Sequence, residues 1–214
     1  MDFLGYFIYV FITLFAIVSP LSGVITFITL TNGLTLDEKN TIARKSVALA
    51  FSIAIFFIFT GNILLDFFGI GIDSLKVAGG LLLFVIAFDM MQAKISRESI
   101  TDKEIDASSE REDIWIFPIA MPMLTGPATI TTVIILTESA EVVPQKALII
   151  LATVLTYAVA LLIFLFSRRL HKRMGYNGML VITRLFGLFL GAISVSMIAS
   201  GVWGLYLIMS GLPG

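Results

Sequence analysis

The chain has 214 residues, 58% of them hydrophobic and 14% charged, with a formal net charge of −1 and a mean hydropathy of +1.01. A soluble domain carries about 25% charged residues, so this composition excludes a water-exposed globule and points to a bilayer as the solvent. The near-zero net charge argues against a nucleic-acid-binding face, and the lack of cysteine excludes disulfide frameworks, thiolate metal sites and cysteine nucleophiles.

Six apolar runs reach the roughly 20 residues needed to cross about 30 Å of hydrocarbon. In chain order they are Phe3–Thr31, Thr41–Leu65, Ser74–Gln92, Ile114–Thr137, Ala147–Phe166 and Met179–Met209. Only Met1 and Asp2 precede the first run, with no positive n-region, so it reads as a retained span and not a cleavable signal. Charge collects in the connections. Lys39, Arg44 and Lys45 fall in the first, Lys94, Arg97, Lys103 and Arg111 in the third, and Arg168, Arg169, Lys172 and Arg173 in the fifth. The second and fourth hold only Lys76 and Lys146. The positive-inside rule then predicts odd connections in the cytoplasm and both termini outside. The fold expected is all-α and polytopic, a multi-pass protein of the cytoplasmic membrane. Its long polar stretch, 94–113, reads as a tether between a first three-helix unit, 1–93, and a second, 114–214, with a docking role as the alternative.

The two units resemble each other. Leu21-Ser22-Gly23 in span one matches Leu124-Thr125-Gly126 in span four, each followed by a threonine-bearing apolar run. Leu75–Leu83 in span three matches Ile182–Leu190 in span six. Three spans is an odd number, so the second unit enters from the opposite face. The pattern is an inverted-topology repeat of the kind found in secondary transporters.

Spans one and four also carry helix breakers at matching places: Ser19-Pro20-Leu21-Ser22-Gly23 in one, and Pro118, Pro122 and Thr125-Gly126-Pro127 in the other. Proline removes a backbone donor and clashes with the carbonyl four residues earlier, and glycine eases the departure from helical geometry. Both spans are expected to unwind for a few residues. The liberated groups cannot face lipid, so they face protein, a watery cavity or a ligand. A half-helix N-terminus with nearby hydroxyls and loose carbonyls suits a small zwitterion. The candidate binding residues are Ser19, Pro20, Leu21, Ser22, Gly23, Pro122, Leu124, Thr125, Gly126, Pro127 and Thr129. The competing reading is a pair of structural kinks, and the spans can be kinked crossings or re-entrant hairpins.

Three further polar residues are candidates for gating or ion coupling. Asp89 and Arg184, near the cytoplasmic ends of spans three and six, either share a polar network or snorkel separately. Asn62 either lines the cavity or bonds a neighbouring helix. Phe56-Phe57 and Phe67-Phe68 read as lipid-facing or interfacial bulk. His171 is the one histidine, in a basic stretch, which excludes a multi-histidine metal centre.

Ala16–Gly23, Phe68–Ile72, Ala78–Met90, Pro118–Pro127 and Thr183–Leu188 together resemble the MarC family, also called the neutral amino-acid transporter family. The likeness covers nearly the whole chain. It implies transport of glycine, alanine and related small neutral amino acids, coupled to Na⁺ or H⁺, with no organic cofactor. The family usually has Asn or Asp before the first proline; Ser19 stands there here, inside the candidate site, where it bears on selectivity. No Gly-x-x-x-x-Gly-Lys-Ser/Thr motif is present, so a gradient would supply the energy. Enzyme readings lack their parts: thiol–disulfide transporters of the DsbD/CcdA type need cysteines, a serine–histidine protease needs an intramembrane histidine, and a two-aspartate protease needs a partner for Asp89. The alternatives kept are a channel, completed by a homo-oligomer, and a non-transporting membrane assembly protein.

Overall fold

In hydrocarbon every backbone N–H and C=O has to be satisfied by the chain itself, which makes the helix the form open to long apolar runs. The computed structural model describes residues 2–92 and 114–211, with helix almost throughout and no strand among them. In chain order the helices are α1 (Phe3–Val18), α2 (Pro20–Leu30), α3 (Leu36–Phe68), α4 (Ile72–Met91), α5 (Trp115–Leu124), α6 (Pro127–Glu138), α7 (Val143–Leu165) and α8 (Ser167–Ser210). The α1–α2 pair, α3, α4, α7 and α8 are each long and apolar enough to cross a membrane, and α5–α6, bent by 51°, forms a sixth candidate. The stretch read as a tether, 94–113, lies outside the described residues.

α3 and α8 begin earlier than hydropathy predicts by the widest margins. α3 starts at Leu36 because Thr35 caps it: its hydroxyl accepts from Glu38 N–H, and the Glu38 carboxylate accepts from Thr35 N–H at 2.7 Å. Asp37 and Glu38 then occupy the first turn, where negative charge is favoured. α8 starts at Ser167, so the basic residues Arg168–Arg173 are helical and not a loop; the axis breaks at Gly175, at φ 63° and ψ 175°, a conformation open to glycine alone.

The course of the two interrupted helices follows from their neighbours. Lys45 near the start of α3 lies over the Trp115 ring at 5.5 Å. Thr125 reaches the Ala50 carbonyl, and Gly61 meets Ile134. Residues 45–61 of α3 rise about 24 Å at 1.5 Å per residue, and α5–α6 keeps pace with them from Trp115 to Ile134. It is therefore a bent crossing and not a hairpin that returns. The α1–α2 pair runs along α7 in the same manner. Val10 and Leu14 share a core cluster with Ile149 and Ala152, and Phe27 stacks on Phe164 with centroids 4.8 Å apart.

α4 and α8 pack antiparallel through glycines. A Cβ on Gly80 would meet Ser194 O at 3.0 Å and Ile198 N at 3.1 Å, and one on Gly187 would meet Ala87 O at 3.0 Å and Met91 N at 3.1 Å. Small residues that let backbones touch are how helices associate where lipid is as apolar as the side chains. Large apolar residues meanwhile stand uncovered on the outside, among them Phe56, Phe67, Phe68, Leu188 and Phe189, as an integral membrane protein requires.

Candidate functional site

At the first break Pro20 forces the preceding residue out of the right-handed helical region. Ser19 takes the left-handed one instead, at φ 43° and ψ 53°, a conformation that costs an L-residue about 1–2 kcal/mol. The interruption is shorter than expected. Ser19 N–H still bonds Phe15 O at 3.0 Å, Gly23 N–H bonds Ser19 O at 3.2 Å, and Pro20 occupies the first helical position, where its missing N–H is not needed. One residue departs from helix where several were expected to unwind. Its consequence is a run of hydroxyls: Ser19 Oγ meets Ser22 Oγ, and Ser22 Oγ lies 3.4 Å from Thr183 Oγ1 of α8. Pro20 and Gly23 are buried and Leu21 half-buried.

The second break is long because three prolines are spaced through it. Phe117, at φ −122° and ψ 124°, and Met121, at φ −135° and ψ 127°, are extended, and Gly126 takes φ −89° and ψ −179°. Each precedes a proline, which disfavours the helical region. Between them α5 keeps wide turns, with Ile119 N–H bonding Ile114 O and Thr125 N–H bonding Ala120 O, each five residues back. Pro122 is half-buried and Pro127 exposed, while Leu124, Thr125, Gly126 and Thr129 are buried.

The Thr125 hydroxyl donates to Ala50 O of α3 at 2.9 Å and meets the Tyr157 hydroxyl of α7. It ties the break to both neighbouring helices. Tyr157 is 3% exposed, and its hydroxyl relies on the break for its partners, Thr125 and, at 3.5 Å, the Leu124 carbonyl. Tyr157→Phe is expected to lower the unfolding free energy by about 1 kcal/mol, a fall of about 2–4 °C in Tm for a chain of this size. Thermal melting of the purified protein checks this; an unchanged Tm would mean that the pair adds nothing to stability.

The fold brings the two breaks together. Gly23 packs against Met123, two residues before Thr125, and against Phe164. Val18 and Val24, on either side of the first break, share one buried cluster with Ile119, Ala120 and Leu124 of the second. α2 and α6 each begin at this level with a proline and without a side-chain cap. The first N–H groups of a helix have no partner within it, so each break presents a partially positive helix end, that of α2 beside the hydroxyls of Ser19, Ser22 and Thr183. That set can hold a carboxylate by backbone donors and an ammonium by hydroxyl and carbonyl oxygens.

Asp89 is buried, 3% exposed, on α4, whereas Arg184 is exposed on α8 and Asn62 is exposed near the end of α3. Thr183 and Tyr157 are the site residues that sequence reasoning passed over. The available signal was a hydroxyl within an apolar span, which buried packing usually provides with a partner. No group of three or more His, Cys, Asp or Glu able to hold a metal occurs among the described residues.

Comparison with known proteins places this architecture. The model of the MarC family integral membrane protein matches residues 4–206. A UPF0056 membrane protein of Methanocaldococcus jannaschii is 38% identical over 94% of this chain and 98% of its own length. The UPF0056 membrane protein YvbG of Bacillus subtilis is 35% identical over 96% and 98%, and one from Aquifex aeolicus is 36% identical over 92% of each. No solved structure matches the chain.

Proposed function

Because the chain belongs to the MarC family of integral membrane proteins, we propose that it is a secondary transporter carrying small neutral amino acids, of the glycine and alanine kind, across the cytoplasmic membrane by alternating access. The observation that carries this reading is the meeting of two interrupted helices at one buried level, each opening an uncapped helix start beside hydroxyls. The substrate carboxylate sits on the first-turn N–H groups of α2 and α6, and the ammonium on oxygens of Ser19, Ser22 and the broken backbone. A Cβ on Gly23 would already meet Phe164 at 3.2 Å and Met123 at 3.3 Å, so the packing beside Gly23 disfavours a bulky substrate side chain.

The packing supports an inverted repeat as the working device. Exchange of the units turns the α1–α2 contact with α7 into the α5–α6 contact with α3, and both are present. The shift that superposes Leu75–Leu83 on Ile182–Leu190 carries Gly80 onto Gly187, and carries their neighbours Ser194 and Ile198 onto Ala87 and Met91. Rocking of one unit on the α4–α8 seam then exposes the breaks to each side in turn. The basic residues at the starts of α3 and α8 mark the cytoplasmic end, which leaves both termini outside. Na⁺ or H⁺ drives the cycle, with Asp89 as the buried carboxylate of α4.

Equilibrium binding of labelled glycine to the purified protein tests the substrate class. Saturable binding competed by alanine and serine, and not by glutamate, lysine or tryptophan, is the expected result. Equal competition by every amino acid, or no binding, would defeat this reading.

A further inference from the structure

The end of the bundle that carries the start of α1 holds a cavity of about 180 Å³, where Tyr9 and Thr13 of α1, Lys76 of α4, Thr132 of α6 and Ser139 at its C-terminal end, and Ser200 of α8 converge. None of these residues belongs to the helix breaks. Threonine hydroxyls in apolar helices bond back to the carbonyl four residues earlier, as those of Thr31, Thr60, Thr137 and Thr153 do here. Thr13 and Thr132 do not. Each is 1% exposed; Thr13 has the Tyr9 hydroxyl as a side-chain partner, whereas the Thr132 hydroxyl has no hydrogen-bond partner among the described residues. A buried hydroxyl left unmatched is costly, so the Thr132 hydroxyl beside the cavity points to a polar occupant.

Lys76 supplies the charge. Its Nζ lies 2.9 Å from Asp73 Oδ1, and Asp73 is held against the α8 backbone, since a Cβ on Gly204 would fall on its carboxylate. An ammonium has three donors, and the Asp73 bond uses one. The other polar side chains at the wall bear hydroxyls, which can also donate, and Ile135, Leu136 and Met197 complete it with apolar surface. A carboxylate, which only accepts, is matched by this surround, whereas a lone cation would meet the Lys76 charge. Liquid water occupies about 30 Å³ per molecule, so the cavity has the volume of a solute of a few carbons, below the roughly 300–1,000 Å³ of drug-sized sites.

We propose that this cavity is a second binding site, for a small carboxylate-bearing solute, with the carboxylate on Lys76 and the Thr132 hydroxyl. As the outer station of a transport path it rests on the carrier reading; as a binding site it stands on its own geometry.

The cysteine-free chain makes the test direct. Ser200→Cys puts a single thiol on the cavity wall of the full-length protein in nanodiscs, and its rate of labelling by a charged thiol reagent is followed. Alanine and acetate are expected to slow labelling at least fivefold and methylamine not at all, with no protection of a Ser210→Cys control. Lys76→Gln in the Ser200→Cys protein should raise the half-protecting concentration at least tenfold, and Lys76→Arg should restore it. Protection by no solute, or equal protection by methylamine, overturns the proposal. Protection without amino-acid transport would uphold the site and count against the carrier reading; transport without protection would sink the site alone.

Discussion

Gly80→Val and Gly187→Val each remove most of the folded protein from solubilised membranes, and to a similar extent. At both positions the first added carbon would lie 3.0–3.1 Å from backbone atoms of the facing helix, which cannot rotate away as a side-chain tip can. Overpacking costs about 1–3 kcal/mol for modest insertions, and valine adds two methyls beyond the Cβ. A loss of about 3 kcal/mol is a large part of a total stability of about 5–15 kcal/mol and corresponds to a fall of about 6–12 °C in Tm. Gly191→Ala is the control, because its Cβ would find its nearest neighbour at 3.7 Å, in ordinary contact. Thermal melting of the detergent-purified variants checks all three. A neutral Gly187→Val beside a damaging Gly80→Val would mean that the two ends of the seam are not equivalent.

If the proposed carrier function holds, Pro20→Ala is expected to abolish amino-acid exchange while leaving the protein at least as stable. Alanine frees Ser19 to return to the right-handed helical region, so α1 and α2 join into one unbroken rod and the strain of its left-handed conformation, about 1–2 kcal/mol, is relieved. The same change closes the uncapped start of α2 and withdraws its N–H groups from any ligand. The expected result is a loss of more than tenfold in amino-acid exchange together with a Tm equal to or above that of the parent. Such a split separates a functional break from a structural one: a mere packing kink would lose stability and keep exchange.

The sequence made the breaks legible but not their lengths. Hydropathy located six crossings because each long run has no other home than lipid or core. It placed the start of α3 at Thr41 and of the last span at Met179, because a transfer scale counts the charges of Asp37–Lys45 and Arg168–Arg173 against a span. Helix propensity and the Thr35–Glu38 cap carry those stretches into helix all the same. Pro20 and Pro127 announced two interruptions. That one is a single residue and the other reaches from Phe117 to Gly126 follows from three X-Pro steps in α5–α6 against one in α1–α2. The roles of Thr183 and Tyr157 were hidden, since their partners Ser22 and Thr125 are far away in sequence and only the packing of α2 on α8 and of the α5–α6 break on α7 unites them. The cavity at Lys76 was hidden for the same reason: its wall is drawn from four separate helices.

Counterflow in proteoliposomes reaches the central claim most directly. Vesicles loaded with unlabelled alanine and diluted into labelled glycine should accumulate label transiently, with saturation as the external glycine rises, and the Pro20→Ala/Pro127→Ala protein should show none of this. Flux that rises linearly without saturation or exchange would reveal an open channel, and label held at the level of protein-free vesicles would contradict carriage of these solutes altogether.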